Sequence, residues 1–329
     1  MFHSFLSGRG RLPVTNCLLV VLLVFFILIS GCQQPGSVTG EVPLLSSGMV
    51  PQVELDGFIL ARQEKPFIVS RELSGLENDI AVSSFTGWIS PSAGQEIVGF
   101  NLEFSKVEDA QNIYNYLAAR EDTWLYLSGN KVFLVRGGGP ESEALKQAIT
   151  GNKFVSPLSI FPEALNLAPF MSEFPGLKPF AGGVGRIAPR ILNVNLEGLP
   201  VQSGAMFIEI MEKARIDLVA FASYSRFPLD TSVIAYPQDF NKLQVGTLIT
   251  GKTEYPGFIF SFLFPRIVSR LGVESMDING KTAFSRVENI DNRDVHIMIS
   301  NMSNYIICSV SYDPAMARNL LAEAIAVQQ

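Results

Sequence analysis

The strongest constraint on the fold is a pattern that recurs along the chain: an apolar strand, a short polar turn and an amphipathic helix. It occurs in Val98–Ala119, in Lys131–Ile149 and in Ile306–Val327. Side chains alternate with period 2 in the strands and with period 3.6 in the helices. The pattern predicts an α+β fold of two similar units, each an antiparallel sheet with helices packed on one face. An internal duplication explains this arrangement, and so do two unrelated α+β domains.

Local signals predict where several of these elements begin. Ser105 and Glu108 have the spacing of a capping box, in which each side chain accepts a hydrogen bond from a free backbone N–H. Asp313-Pro314 combines an N-cap residue with a proline suited to the first helical position. Trp124–Leu127 and Lys131–Val135 are predicted to form a hairpin. The predicted apolar stripe of the first helix comprises Val107, Ala110, Ile113, Tyr114 and Leu117.

The folded part divides into a first unit at 53–155, a connecting segment at 156–190 and a second unit at 191–329. The pattern at 205–215 fits a helix and a strand equally well. The connecting segment is rich in proline, which disfavours long helices and central strands. It also contains four phenylalanines that a solvated linker would not need, so we expect it to pack across both units and to offer an apolar ligand site. These residues are Phe161, Phe170, Phe174 and Phe180.

The N-terminus has the features of an export signal. Arg9 and Arg11 precede an almost purely apolar run, Cys17–Ile29. The run is short for a membrane span, which needs about 20 residues, and its length is typical of the apolar part of a signal peptide. Residues 1–31 are therefore predicted to be removed after export.

The run ends in Ile29-Ser30-Gly31-Cys32, which resembles the lipobox of prokaryotic lipoproteins. The resemblance implies that the thiol of Cys32 receives a diacylglyceryl group and that the domain is held to a membrane outside the cytoplasm. Residues 32–52 are rich in Gly, Ser and Pro and are predicted to be a flexible tether. The alternative is an uncleaved signal anchor with an incidental cysteine, which also places the domain outside the cytoplasm.

Composition excludes several classes of function. The net charge is -6 and no basic run is present, which argues against nucleic acid as a partner. The histidines are His3 and His296, and only His296 survives the predicted cleavage. Lipidation of Cys32 leaves Cys308 without a disulfide partner, and one histidine with one thiol cannot build a usual zinc site. We therefore predict no metal and no cofactor.

A nucleophilic site would have to use Asp294, His296 and Cys308. The strand pattern favours a surface histidine and a packed cysteine instead, and the chain has no Gly-x-Ser-x-Gly motif. We predict no catalytic residue of this type. A hydrolase that uses paired carboxylates remains the alternative function, because sequence spacing does not limit where such residues meet. Its candidate residues are Glu54, Asp79, Glu103, Asp217 and Asp230.

Three further stretches have both a functional and an ordinary explanation. Arg136–Pro140 could hold an anion before a helix, but it lacks the Lys-Ser/Thr of a P-loop and fits a simple connection better. Tyr255–Pro265 could meet lipid, an apolar ligand or a partner, and a buried strand or helix start is favoured. Asn301-Met302-Ser303 matches an N-glycosylation acceptor, a pattern common by chance.

Together these features predict a cell-envelope lipoprotein with a non-enzymatic binding or structural role. Its partners are the membrane, through the lipid anchor, and an envelope protein or apolar ligand. A solute receptor would require two lobes with parallel sheets, which the strand–helix–hairpin pattern does not favour.

Overall fold

The fold is a mixed α+β structure built on a large antiparallel sheet. The computed structural model describes residues 50–53, 59–63, 67–69, 80–92, 95–119, 123–186, 210, 213–226, 245–290 and 293–327. The strands are β1 (Val50–Pro51), β2 (Ile59–Gln63), β3 (Phe67–Val69), β4 (Ile80–Ser92), β5 (Gln95–Phe104), β6 (Trp124–Ser128), β7 (Lys131–Arg136), β8 (Phe154–Val155), β9 (Lys178–Arg186), β10 (Ile216–Ser225), β11 (Val245–Thr253), β12 (Glu274–Ile278), β13 (Lys281–Ile290), β14 (Arg293–Met302) and β15 (Tyr305–Ser311).

The helices are α1 (Val107–Ala118), α2 (Pro140–Thr150), α3 (Pro157–Ile160), α4 (Gly257–Val268) and α5 (Pro314–Ala326). Two stretches are 3₁₀ helices, the longer at Pro162–Met171 and a single turn at Ser269–Leu271. The longer one is called the 3₁₀ segment below.

Thirteen of the described strands form one continuous sheet. Twelve follow the order β12-β13-β14-β15-β11-β10-β9-β2-β4-β5-β7-β6, and β3 pairs with β4 beside this path. Neighbouring strands are antiparallel throughout, including the central pair β2–β9. The short strands β1 and β8 pair separately. The two expected sheets are therefore merged into one in the described part of the chain.

Helices cover both faces of this sheet. The register places Phe133 and Leu248 on one side, called the first face, and Leu134 and Cys308 on the other, called the second face. The buried residues of α2, the 3₁₀ segment and α5 share a core with the first face, whereas α1 and α4 pack on the second. The expectation of helices on one face only is wrong, because strands such as β7 bury apolar side chains in both directions.

Helix α1 follows its predicted stripe in part. Ala110, Ile113 and Leu117 are buried, but Val107 is more than half exposed. The predicted capping box is absent from this helix start, where Lys106 is the N-cap and no side chain caps it. Ser105 Oγ lies 2.8 Å from Ser83 Oγ instead, so its hydroxyl forms a hydrogen bond to β4 and does not cap the helix.

The predicted start of α5 is confirmed, and α2 also has ends that its sequence favours. Pro140 is at the start of α2, and Gly151 is its C-cap. Asp313 caps α5, because its carboxylate accepts a hydrogen bond of 2.9 Å from the backbone N–H of Ala315. The predicted hairpin β6–β7 also forms, and β14 pairs with β15 in the same antiparallel way.

The proline-rich connecting segment contributes to the middle of the sheet. Lys178–Arg186 forms β9, which pairs with β2 on one side and β10 on the other. The segment also forms helical structure over Pro162–Met171, the 3₁₀ segment. Most of 205–215 lies outside the described residues, although Ala214 N–H donates to Ile210 O as in a helical turn.

Candidate functional site

Helix α4 is the most apolar helix of the described chain, and apolar side chains lie on both of its sides. It begins after Pro256, whose carbonyl accepts hydrogen bonds from Ile259 N–H at 2.9 Å and Phe260 N–H at 3.0 Å. Apolar residues fill almost every position up to Pro265, and the first charge is Arg266. Because a helix presents one side to the sheet, half of these residues cannot be buried there.

The inner side of α4 completes the core of the second face. Phe260, Phe264 and Val268 are fully buried, and their spacing of four places them on one stripe. The ring centres of Phe260 and Phe264 are 5.6 Å apart, and Phe264 meets Phe284 of β13 edge-on at 5.8 Å. These contacts fix the rotation of the helix, so its outer side is also fixed.

The N-terminal end of α4 is held close to the β14–β15 turn. A methyl group at Gly257 would lie 2.5 Å from Ser303 Oγ and 3.1 Å from the Ser303 carbonyl carbon, so this close approach favours glycine. One turn further, Asn301 Nδ2 donates to Ser261 Oγ at 3.2 Å. The amide of the glycosylation pattern is thus engaged with α4. Glycosylation of Asn301 is not tested by this contact.

The C-terminal end is held by Arg286 of β13. Its Nη1 donates to the carbonyl oxygen of Leu271 at 2.7 Å. Its Nε lies 2.9 Å from Glu288 Oε1, an ion pair whose geometry falls outside that of a hydrogen bond. Glu288 is buried, so the pair keeps a desolvated carboxylate beside a cation at the end of the helix.

The outer side of α4 combines exposed phenylalanines with arginines. Phe258 is 79% exposed, Phe262 62% and Ile259 37%. Arg266 Cζ lies 4.0 Å from the centre of the Phe262 ring, a cation–π contact. Arg270 is exposed one turn later. This set is called the Phe–Arg face: Phe258, Ile259, Phe262, Arg266 and Arg270.

The Phe–Arg face has the composition of a binding surface. Removing a Phe or Ile side chain from water is worth about 1.5–3 kcal/mol, and here that free energy is not used in folding. Guanidinium groups bind phosphate and carboxylate oxygens, often through two hydrogen bonds. No Asp or Glu occurs between 257 and 271. The surface therefore suits a partner that is apolar and negatively charged at the same place.

The sequence contained a signal for this surface. Phe258, Phe262, Arg266 and Arg270 are spaced by four, so a helix aligns them on one stripe. A second stripe, Phe260–Phe264–Val268, has the same spacing. For Tyr255–Pro265, the expected helix start is confirmed, but the stretch is buried on one side only and exposed on the other.

Three of the four phenylalanines predicted to bind an apolar ligand are core residues in the structure. Phe161, Phe170 and Phe174 are buried in the first-face core, and the side chain of Phe180 lies outside the described ones. Phe174 stacks on Tyr224 with ring centres 5.1 Å apart. A ligand role for these residues stays a prediction.

The residues considered for a nucleophilic site are not assembled. His296 lies on the first face, because it alternates with Met298 of the first-face core, while Cys308 points into the second-face core. Burial raises the pKa of the Cys308 thiol to about 12, which keeps it protonated. Asp294 accepts a hydrogen bond of 3.0 Å from Asn289 Nδ2. The sheet therefore separates the thiol from the imidazole.

The carboxylates of the hydrolase alternative are only partly described. Glu103 lies 3.6 Å from Lys131 Nζ in a cross-strand ion pair. Asp217 belongs to β10, but its side chain is outside the described ones, as are Glu54, Asp79 and Asp230. Among the described residues, no three His, Cys, Asp or Glu side chains are grouped so as to hold a metal ion.

The predicted lipidation residue, Cys32, lies outside the described residues. None of the described helices is both long and apolar enough to cross a membrane. Comparison with protein-family models, curated proteins and solved structures found no match to this chain.

Proposed function

We propose that this protein is a cell-envelope lipoprotein, anchored by lipid on Cys32, with a non-enzymatic binding or structural role outside the cytoplasm. The observation that carries the proposal is the order Arg9 and Arg11, Cys17–Ile29, then Ser30-Gly31-Cys32. Each part has a function in export: charge orients the segment, the apolar run enters the translocation machinery, and small residues admit the lipid-modifying enzymes.

The arrangement of the described part supports this proposal. The first described residue, Val50, is buried in the first-face core, so the end of the predicted tether, at 50–52, already belongs to the folded domain. The surface feature with the clearest chemistry is the Phe–Arg face, which suits binding and offers no nucleophile, acid or base. An envelope protein or an apolar ligand is the further partner class, in addition to the membrane.

Metabolic labelling tests the anchor. Cells that express the full chain are grown with radioactive palmitate, and the protein is isolated and sized. The wild type is expected to carry label and to lose residues 1–31. Cys32→Ala is expected to carry no label, whereas Cys308→Ala, the matched control, keeps it. An unlabelled wild type that retains its N-terminus would overturn the proposal in favour of a signal anchor.

We also propose that the two halves of the sheet arose by duplication. In the first half, β5 leads through α1 to the hairpin β6–β7, β7 returns beside β5, and α2 follows. In the second half, β11 leads through α4 to β12–β15, β15 returns beside β11, and α5 follows. The first helices share the second face and the last helices share the first face.

This topology supports a two-fold relation about the antiparallel β2–β9 pair. It matches Lys131–Thr150 with Tyr305–Ala326, and Gln95–Ala118 with Val245–Val268. The sequence pattern alone had matched Val98–Ala119 with Ile306–Val327. The test is an alignment of the two halves across divergent homologues. Sequence similarity between the segments that the topology matches would support duplication, and similarity between differently matched segments would contradict it.

A further inference from the structure

The Phe–Arg face lies on the surface without a function in the fold. The inner stripe of α4 already fills the second-face core, the Ser261 hydroxyl accepts a hydrogen bond from Asn301 near one end, and Arg286 donates to Leu271 just beyond the other. The outer phenylalanines contribute to none of these contacts. Exposed apolar side chains that cluster in this way mark an interaction surface.

The chemistry of the face indicates which kind of partner it fits. A helix with aromatic residues and arginines along one exposed side is suited to the boundary between lipid headgroups and acyl chains. The rings enter the apolar layer, while the guanidinium groups bind lipid phosphates. Arg215, stacked 5.2 Å above the Tyr255 ring, places another exposed cation near the start of α4. Along the described sequence, the exposed carboxylates nearest to α4 are Glu254 and Glu274, beyond the two ends of the helix.

The size of the face favours a membrane over a protein partner. A stable protein interface buries about 800 Å² on each side, far more than three apolar side chains supply. A lipid anchor changes the requirement, because it holds the domain close to the bilayer and makes a weak second contact effective. A flexible chain as long as the predicted tether, residues 32–52, spans roughly 25 Å on average, which is enough to let one side of the domain reach the surface.

We propose that α4 docks on the anionic bilayer surface that holds the Cys32 anchor, with Phe258 and Phe262 inserted among the lipids and Arg266 and Arg270 on their phosphates. This inference rests on the proposed lipid anchor. It orients the domain with the second face of the sheet towards the membrane. The first face, covered by α2, the 3₁₀ segment and α5, points away from the bilayer and towards any further partner.

A polarity-sensitive probe tests the docking. The lipidated full chain is reconstituted in vesicles of phosphatidylcholine and phosphatidylglycerol with a nitrobenzoxadiazole label at Phe258→Cys. Cys308 is buried and Cys32 carries lipid, so the new thiol is the reactive one. Leu165→Cys is the matched control, because Leu165 is an exposed apolar residue (60%) of the 3₁₀ segment on the first face.

The expected result is a several-fold rise in fluorescence with a blue shift for the label at 258, and no change at 165. Replacing Arg266 and Arg270 by Glu, or omitting phosphatidylglycerol, should reduce the rise at 258. If the protein floats with the vesicles but the label at 258 remains water-exposed, the docking is overturned while the anchor stands. Protection of that label only in native envelopes, and not on pure lipid, would assign the face to a protein and also overturn it. Failure to float with the vesicles would instead overturn the anchor, and with it the docking.

Discussion

The phenol oxygen of Tyr224 lies 2.9 Å from the carbonyl oxygen of Phe170 and 3.0 Å from that of Ser172. The hydroxyl donates to these acceptors and so joins β10 to the end of the 3₁₀ segment, more than 50 residues earlier in the chain. Because this tyrosine is fully buried, water cannot replace the bond. The proline-rich segment is thus held to the sheet by a polar contact in addition to its apolar packing.

Removing this hydroxyl should destabilise the fold. Tyr224→Phe leaves the Phe170 carbonyl without its side-chain donor, so we expect the free energy of unfolding to fall by about 1–3 kcal/mol. Urea denaturation followed by circular dichroism measures the change. Tyr126→Phe, in the partly exposed strand β6, is the control and should change stability little. Equal stabilities of the wild type and Tyr224→Phe would contradict this account.

The buried thiol of Cys308 predicts a loss of stability at alkaline pH. Burial raises its pKa to about 12, whereas the thiol of an unfolded chain titrates near 8.5. Above that value the unfolded state releases a proton that the folded state retains. The stabilising contribution is therefore complete below about pH 8.5 and decreases as pH rises towards 12, by up to about 1.4 kcal/mol per pH unit.

Urea titrations at a series of pH values measure this effect through the difference between wild type and Cys308→Val. The difference should change in that pH window, because valine removes the titrating group and keeps an apolar side chain in the core. Tyr224, whose pKa burial also raises, contributes equally to both proteins. A pH-independent difference between them would show that the thiol titrates normally in the folded state.

Gly257→Ala should displace the start of α4. The added methyl group meets the backbone of Ser303 as well as its hydroxyl, and backbone atoms cannot move aside as a side chain can. Overpacking of this kind typically costs about 1–3 kcal/mol. Thermal unfolding measures the loss. Ser303→Ala should restore only part of it, because the contact at 3.1 Å with the carbonyl carbon remains. Full restoration would place the strain in the hydroxyl alone.

Substitutions on the two stripes of α4 should differ greatly in their effect on stability. Phe264→Ala removes a fully buried ring and should cost about 3–5 kcal/mol. Phe258→Ser changes a ring that is 79% exposed and should alter the free energy of unfolding by no more than about 0.5 kcal/mol. Urea denaturation of the two variants checks this. A large loss for Phe258→Ser would mean that the outer stripe serves folding, which would remove the basis for a docking surface.

Sequence patterns predicted the elements whose signals are local. The start of α5 is encoded by Asp313 and Pro314, which act within one turn, and the hairpin β6–β7 by two short apolar runs close together in the chain. The capping box at Ser105 failed because Ser83, distant in sequence, supplies a different hydrogen bond. Local spacing cannot include such a partner.

The central strand β9 was not predicted, for a related reason. Pro179 and the glycines at 182, 183 and 185 have low strand propensity, so the segment reads as a connection. Pairing on both sides, with β2 and β10, overrides that preference. The exposed side of α4 was missed because residues 257–265 are almost all apolar, and the two arginines that mark the outer stripe come only at its end. The packing of the inner stripe, including Phe264 against Phe284, determines the rotation.

The lipid anchor is tested most directly by the mass of the N-terminal peptide of the protein extracted from membranes. The lipid anchor predicts a peptide that begins at Cys32 and carries the mass of a diacylglyceryl group on its sulfur. A peptide that contains residues 1–31, or one in which Cys32 is an unmodified thiol, would contradict the central claim.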